Sequence, residues 1–284
     1  PEAPSSKYIC RHISIILKQM DPTEFKELLT EKGRELYRDM PWRDDTRPYY
    51  VLVSELMLQQ TQVDRVIPKF KAFIAAFPNE AALASASLAD VLTMWQGLGY
   101  NRRAKFLHEA AKAIVMRGDF PSDEAGLLAL PGVGKNTAGA IRAYAFNQPA
   151  LFVETNVRTV YFYHFFTSGD SVDDKQIMAC LEETLDHEHP REFYWALMDY
   201  GSYLKRAGVG RVAQSKHYKK QSALKGSVRE IRGQIIKRLT ERDGTMEQLQ
   251  CSVTYDERFD PALEGLLKDG LVTVYDDGRI HLTK

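Results

Sequence analysis

The first 220 residues carry helix-start and helix-stop signals at short intervals and no convincing alternating apolar run, which confines this part of the chain to an all-α body. Ser87 ahead of Leu88–Ala89–Asp90 predicts a capping box, opening a helix that runs to Trp95 or Gln96 and stops at Gly97. Residues 101–117 place Ala104, Leu107, Ala111, Ile114 and Val115 at helical spacing, with Gly118 where a left-handed cap belongs. Residues 54–70 repeat that period through Met57, Leu58, Val63, Val66, Ile67 and Phe70.

Beyond residue 226 the punctuation changes. Residues 227–242 and 261–268 read as helices, then Leu271–Val272–Thr273–Val274–Tyr275 alternates, Asp277–Gly278 supplies a tight turn and Arg279–Ile280–His281–Leu282 returns. Helices followed by a small hairpin spell a winged-helix (α+β) module over 226–284. A basic stretch at 205–226, containing Gly and Ser, would connect it to a first domain over 1–222. A unit as small as the module folds only marginally by itself.

Basic and acidic side chains balance at 38 each, yet 205–242 holds twelve Lys or Arg against two Glu, and 243–284 nine acids against four bases. The basic block can follow a phosphate backbone or serve as a solvated helix face. Cys10, Cys180 and Cys251 are far apart and odd in number, which suits reduced thiols in a cytosol rather than a disulfide framework or a metal site. No apolar run approaches a membrane span, and the opening PEAPSS lacks the parts of a signal peptide, so no membrane partner is expected.

The most informative stretch is Leu130–Pro131–Gly132–Val133–Gly134–Lys135–Asn136–Thr137. A helix ends, Pro-Gly-Val-Gly turns, and a new helix begins near Lys135, forming a hairpin near 126–146. Two glycines clear the turn of side chains, so backbone N–H groups can approach a phosphate; the following helix dipole favours the anion and Lys135 adds charge. A plain αα-hairpin would use the same turn, and the spacing is wrong for a nucleotide P-loop.

The hairpin string resembles that of helix-hairpin-helix DNA glycosylases. Further strings extend the likeness in the family's order: Pro41–Trp42–Arg43, Ser54–Glu55–Leu56–Met57–Leu58–Gln59–Gln60–Thr61–Gln62–Val63, Trp95–Gln96–Gly97–Leu98–Gly99–Tyr100 and Phe152–Val153–Glu154–Thr155–Asn156–Val157–Arg158. They span residues 25–205 and are similar to the MutY-type adenine DNA glycosylases. The resemblance implies two helical lobes around a DNA cleft, acting as a monomer on double-stranded DNA with a mispaired or damaged base. Its setting would be the nucleoid-bearing cytoplasm of a prokaryote or the nucleus of a eukaryote. It assigns catalysis to Glu55, Glu154, Asn156 and Asn136. DNA contact falls to Gln59, Gln60, Thr61, Tyr100, Arg102, Gly132, Val133, Gly134, Lys135 and Thr137.

Cutting a base from deoxyribose needs a protonated leaving group and a stabilised cationic sugar, which two carboxyls in different environments can supply. Glu55 lies in the apolar run from Leu52 to Leu58, where desolvation would raise its pKa as an acid requires; an ordinary salt-bridged glutamate is the bland alternative. Glu154 precedes a helix that Thr155 or Asn156 could cap, so the dipole would favour its ionised form. The family has aspartate there; glutamate reaches further by about 1.5 Å, one C–C bond. Asn136 stands where lyase-competent relatives carry a Schiff-base lysine, which implies a monofunctional enzyme. Gln60 and Tyr100 match positions that wedge into the duplex as the base leaves the stack, and Arg102, Arg103 and Lys105 would meet phosphates.

Many relatives hold a [4Fe–4S] cluster on four cysteines here, but 199–221 contains none, so no cluster is expected and Tyr218 with nearby bases would replace its packing. A Na⁺ or K⁺ ion on hairpin carbonyls near Leu130 and Val133 is the one cofactor the resemblance allows. Residues 226–284 do not resemble the further domain with which adenine glycosylases commonly sense oxidised guanine. The acidic tail suits packing on the body more than groove reading, although Gln248 and Arg258 could touch DNA. The favoured substrate is adenine opposite 8-oxoguanine or guanine. A uracil or thymine mismatch glycosylase, or a lesion binder that does not cut, stays open on the same residues.

Overall fold

The computed structural model describes residues 20–166, 171–210, 215 and 223–284; Cys10, Tyr218 and half of the basic connection lie outside them. In chain order the helices are α1 (Pro22–Glu35), α2 (Pro41–Asp44), α3 (Pro48–Leu58), α4 (Val63–Ala76), α5 (Glu80–Ser85), α6 (Leu88–Trp95), α7 (Arg102–Arg117) and α8 (Glu124–Leu128). Next come α9 (Lys135–Phe146), α10 (Thr155–Phe165), α11 (Asp174–Thr184) and α12 (Pro190–Arg206). The tail holds α13 (Val228–Glu241), α14 (Met246–Ser252), α15 (Phe259–Lys268), β1 (Val272–Val274) and β2 (Ile280–Leu282). The fold is therefore all-α with a small C-terminal β part. Among the described residues no helix is long and apolar enough to cross a membrane.

Two compact units divide the chain: Pro1–Asp39 with Lys135–Lys220, and Met40–Gly134 with Gln221–Lys284. In the first, α12 packs on α1, α9 and α10 around Phe25, Leu29, Tyr161, Phe162, Tyr194 and Leu197. Asp21 opens α1 by accepting from the amides of Thr23 and Glu24 at 2.8 and 3.3 Å, just ahead of Pro22 at the first helical position. Gly33 then lets α1 close on α12, since a Cβ there would fall 2.8 Å from that of Ala196.

In the second unit α3, α4, α6 and α7 enclose Leu52, Leu56, Val66, Phe73, Trp95 and Leu107. Ser87 caps α6 by accepting from the Asp90 amide at 3.1 Å, but the reciprocal half of the predicted capping box is absent, the Asp90 carboxylate accepting instead from the Ser87 hydroxyl at 2.6 Å; α7 ends on Gly118 at φ +89°. Val115, placed by periodicity on the inner face, is 48% exposed; its neighbour Ile114 fills that role. The period over 54–70 hides a break. α3 stops at Leu58 and α4 starts at Val63, because Gln60 takes φ +58° between them.

The tail belongs to this second unit. α13 packs against α6, α15 and β2, burying Ile231, Ile235 and Ile236. β1 and β2 pair antiparallel with Val272 opposite Leu282, around a turn in which Gly278 sits at φ +77°. Sequence periodicity misses α14, a two-turn helix marked by Thr245 and Gln248 in a reciprocal capping box.

Candidate active site

Glu55 stands half-buried in the last turn of α3, with Ser54, Leu56 and Met57 buried around it. The helix then ends at a polar knot. Arg103, only 7% exposed, directs Nη1 at the carbonyls of Leu56, Met57 and Gln59 at 2.7, 2.9 and 2.5 Å. Its Nη2 donates to the Thr61 hydroxyl at 3.2 Å and to the carbonyls of Leu98 and Gly99 at 3.1 and 3.0 Å. The unpaired carbonyls of a helix end are thereby satisfied by one side chain. Burial pushes this guanidinium down to about 10, which leaves it a cation at neutral pH.

This knot joins two loops that the sequence places far apart. One carries Gln59, half-buried, then Gln60, exposed at φ +58°. The other runs through Gly97 at φ +87° and Gly99 at φ +70° to Tyr100, 40% exposed at φ +47°. The Trp95 indole, on the last residue of α6, donates to the Gly99 carbonyl at 3.2 Å and ties the second loop to that helix. Both expected wedge residues therefore stand exposed on one braced surface. Arg103 was expected at phosphate; its burial makes it the brace instead, and Thr61 turns its hydroxyl into the same knot.

In the hairpin, the Val133 amide donates to the Leu130 carbonyl at 3.2 Å, closing the turn after α8. Gly132 at φ +77° faces Phe106 so closely that a Cβ would lie 2.6 Å from the Phe106 Cβ. Gly134 has nothing within 4 Å of such an atom, and Gly134, Lys135 and Asn136 are exposed, whereas Val133 and Thr137 are buried. Gly132 thus serves packing, whereas Gly134 faces open space, a difference invisible in the string itself.

Glu154 itself, rather than Thr155 or Asn156, caps α10: its Oε1 accepts from the amides of Asn156 and Val157 at 2.5 and 3.2 Å. Among the described residues Oε2 takes no hydrogen bond. Burial pushes the Glu154 carboxyl up, against the two amides and the charges of Lys205 and Arg158, so the expected bias to the ionised form is outweighed. Asn136 does not point to open chemistry either: its Nδ2 donates to the Val153 carbonyl at 2.9 Å, one residue ahead of Glu154. The same segment is held by Tyr194, whose hydroxyl donates to Ala150 at 2.7 Å and whose ring stacks on Phe152 at 4.0 Å. Gly139 makes room for that Phe152 ring.

Beside the cap, Asn156 Oδ1 is buried with no hydrogen-bond partner among the described residues, while Nδ2 reaches Met198 Sδ at 3.6 Å. Gly201 permits this contact of α12 with α10, since a Cβ there would lie 2.5 Å from the Asn156 carbonyl oxygen. Two ion pairs escaped sequence reasoning. Arg38 meets the buried Asp199 at 2.6 Å, and Arg158 grips Asp174 through two bonds of 2.8 and 2.6 Å. Only a sequence-distant pairing signal could have revealed the first.

Other expected DNA contacts are engaged elsewhere. Arg102 and Lys105 reach the tail, at Asp269 Oδ1 (3.4 Å) and the Asp269 carbonyl (2.8 Å). Gln248 is consumed by the α14 capping box, and Arg258 is paired with Asp256 and Glu230.

Residues 53–187 match the HhH-GPD superfamily of base excision DNA repair proteins. The adenine DNA glycosylase of Mycobacterium tuberculosis (strain CDC 1551 / Oshkosh) is 34% identical, over 87% of this chain and 89% of that protein. That of Mycolicibacterium smegmatis is 36% identical, over 86% of this chain and 91% of its own length. Among solved structures, a thermostable thymine-DNA glycosylase shares the fold with a TM-score of 0.56 at 23% identity, covering 64% of this chain and 86% of that one. From the hairpin match and the near full-length relatives, the chain belongs to the HhH-GPD superfamily of base excision DNA repair proteins, on the adenine DNA glycosylase branch.

Proposed function

We propose that the chain is a monofunctional glycosylase that removes adenine mispaired with 8-oxoguanine or guanine from double-stranded DNA. The observation that carries this reading is the pair of exposed residues Gln60 and Tyr100, on two loops that Arg103 braces together, one of them directly after the helix that bears Glu55. Base flipping needs rigid groups to fill the gap in the stack, and a group close by to act on the extruded base.

In this reading Glu55 protonates the purine ring. The N-glycosidic bond breaks, its electron pair leaving with the base, and the sugar becomes cationic at C1′. Glu154 Oε2, left over from capping, takes a proton from a water that Asn156 Oδ1 also orients as acceptor, and the water oxygen bonds to C1′. With asparagine at 136 no amine is at hand for a Schiff base there, so the product is an abasic site in an unbroken strand. Gly134 and Lys135 receive a phosphate at the start of α9, and the carbonyls of Leu130 and Val133 offer oxygen ligands to Na⁺ or K⁺. A [4Fe–4S] cluster does not fit: it needs four thiolates, and the chain has three cysteines.

Single-turnover assays on duplexes carrying adenine opposite 8-oxoguanine, adenine opposite guanine, and uracil or thymine opposite guanine test the reading. The expected result is strand scission on the adenine duplexes, only after alkali, and abolished in Glu55→Gln. Cutting confined to uracil or thymine, or full turnover by Glu55→Gln, would overturn it.

A further inference from the structure

Arg229 lies in the first turn of α13, the opening helix of the tail. Its Nη1 donates to the Tyr100 hydroxyl, and its guanidinium lies over the Tyr100 ring at 5.3 Å from the centroid. The Arg103 guanidinium sits 5.6 Å from the same centroid, so two cations from different elements hold one exposed ring. Around this contact the tail is fastened to the body that carries the ring. Asp269, at the end of α15, collects Arg232 at 2.5 Å and Arg102 at 3.4 Å, and its carbonyl takes Lys105 at 2.8 Å. Gln96, next to the Gly97–Gly99 loop, bonds Thr240 of α13. Arg232 passes close over Gly265 of α15, where a Cβ would make its guanidinium shift.

We infer that Arg229 is a positioning residue for Tyr100, through which the tail sets the angle at which the ring enters the duplex. Tyr100 ends a loop in which Gly97 and Gly99 both take a left-handed φ, and the Arg229 contact reaches it from outside that loop. A guanidinium that lies over the ring and also bonds its hydroxyl restricts the ring's rotation, while Tyr100 stays 40% exposed. The inference takes from the proposed function only the role of Tyr100 as a wedge. The contact itself stands independently of which base is removed.

The test uses the full chain with Arg229→Ala, Tyr100→Phe, Tyr100→Ala and the Arg229→Ala/Tyr100→Ala double variant. Hydrogen exchange on the DNA-free protein is the first readout. Arg229→Ala should speed exchange over residues 97–101, and Tyr100→Phe over 226–230, with α14 to β2 unchanged in both. Flipping is the second readout, followed with 2-aminopurine at the target position of a duplex. Arg229→Ala should lower its amplitude about tenfold, and the double variant should be no worse than Tyr100→Ala, because the two side chains act as one unit. Exchange at 97–101 unchanged in Arg229→Ala, or raised equally throughout the tail, would overturn the inference, as would losses that multiply in the double variant. A wild-type chain that cuts no adenine duplex would refute the substrate reading alone; the exchange measurement decides the Arg229 role without it.

Discussion

Glu154 gives one carboxylate oxygen to the first turn of α10 and keeps the other. The arm, one methylene longer than aspartate, folds back onto the amides of Asn156 and Val157. Burial raises its pKa above the usual 4.5 of a glutamate, so between those two values the folded protein binds more protons than the unfolded chain. Stability contributed by this site therefore falls as pH rises through that window. Glu154→Gln keeps an oxygen for the cap and removes the buried charge. Its melting temperature at neutral pH should equal or exceed wild type, while single-turnover excision drops by about 10²–10⁴-fold. A Glu154→Gln protein that melts lower would show that the ionised group stabilises the cap. The wild-type rate should also fall off in acid at a pH above that of an ordinary glutamate, read from a pH–rate profile.

The two hairpin glycines separate the same way. Gly132→Ala meets both a left-handed φ and the Phe106 Cβ, and should cost about 1–3 kcal/mol in thermal unfolding. Gly134→Ala should melt like wild type and lose affinity for duplex DNA in an anisotropy titration. The string Pro131–Gly132–Val133–Gly134 announces a turn for phosphate, but only packing distinguishes which glycine the turn needs and which the ligand needs. Glu55 and Glu154 were likewise legible as residue types; that Glu154 would be its own helix cap required knowing where α10 begins.

At the scale of elements, the junctions between helices were harder to read than the helices. Caps at Ser87 and Gly118 and the start of α9 at Lys135 follow from local sequence, because each depends on backbone groups a few residues away. The break between α3 and α4 depends on Arg103, 44 residues beyond Gln59, whose guanidinium substitutes for the missing turn. Helical periodicity runs straight through such a break, since Leu58 and Val63 stay on the apolar pattern. Arg103→Ala would strip donors from buried carbonyls in two loops at once, and Arg103→Lys could not reach both. Each should destabilise the protein by about 3 kcal/mol, read by denaturant melts, and each should abolish flipping even where the protein remains folded. Wild-type flipping by either variant would show that the loops hold their shape without the brace.

Taken over the whole molecule, several described members of the basic block of 205–242 are engaged within the protein. Lys205 acts on Glu154, Arg229 on Tyr100, Arg232 on Asp269, and Arg238 on the Arg242 carbonyl at 2.8 Å. Charge counting found the cluster but not its use, because pairing partners such as Asp269 lie in the acidic segment that follows. The tail shares its core with the 40–134 part of the chain, so a chain ending at residue 225 should melt lower by about 5 °C or more in calorimetry. An unchanged melting temperature would identify residues 226–284 as an appendage that folds by itself.

Gln60 and Tyr100 have one further implication. An L residue at φ +58° or +47° lies in a sparsely populated backbone region that disfavours folding by about 1–2 kcal/mol. That penalty is met while the protein folds, before any duplex is encountered. In the proposed role as wedges, these two residues are thus shaped before DNA arrives, and binding need not drive a backbone rearrangement. Glycine at position 60 would relax the backbone and make the free protein more stable. It would also make it slower to open DNA, because the conformational freedom gained in solution would have to be surrendered on the duplex.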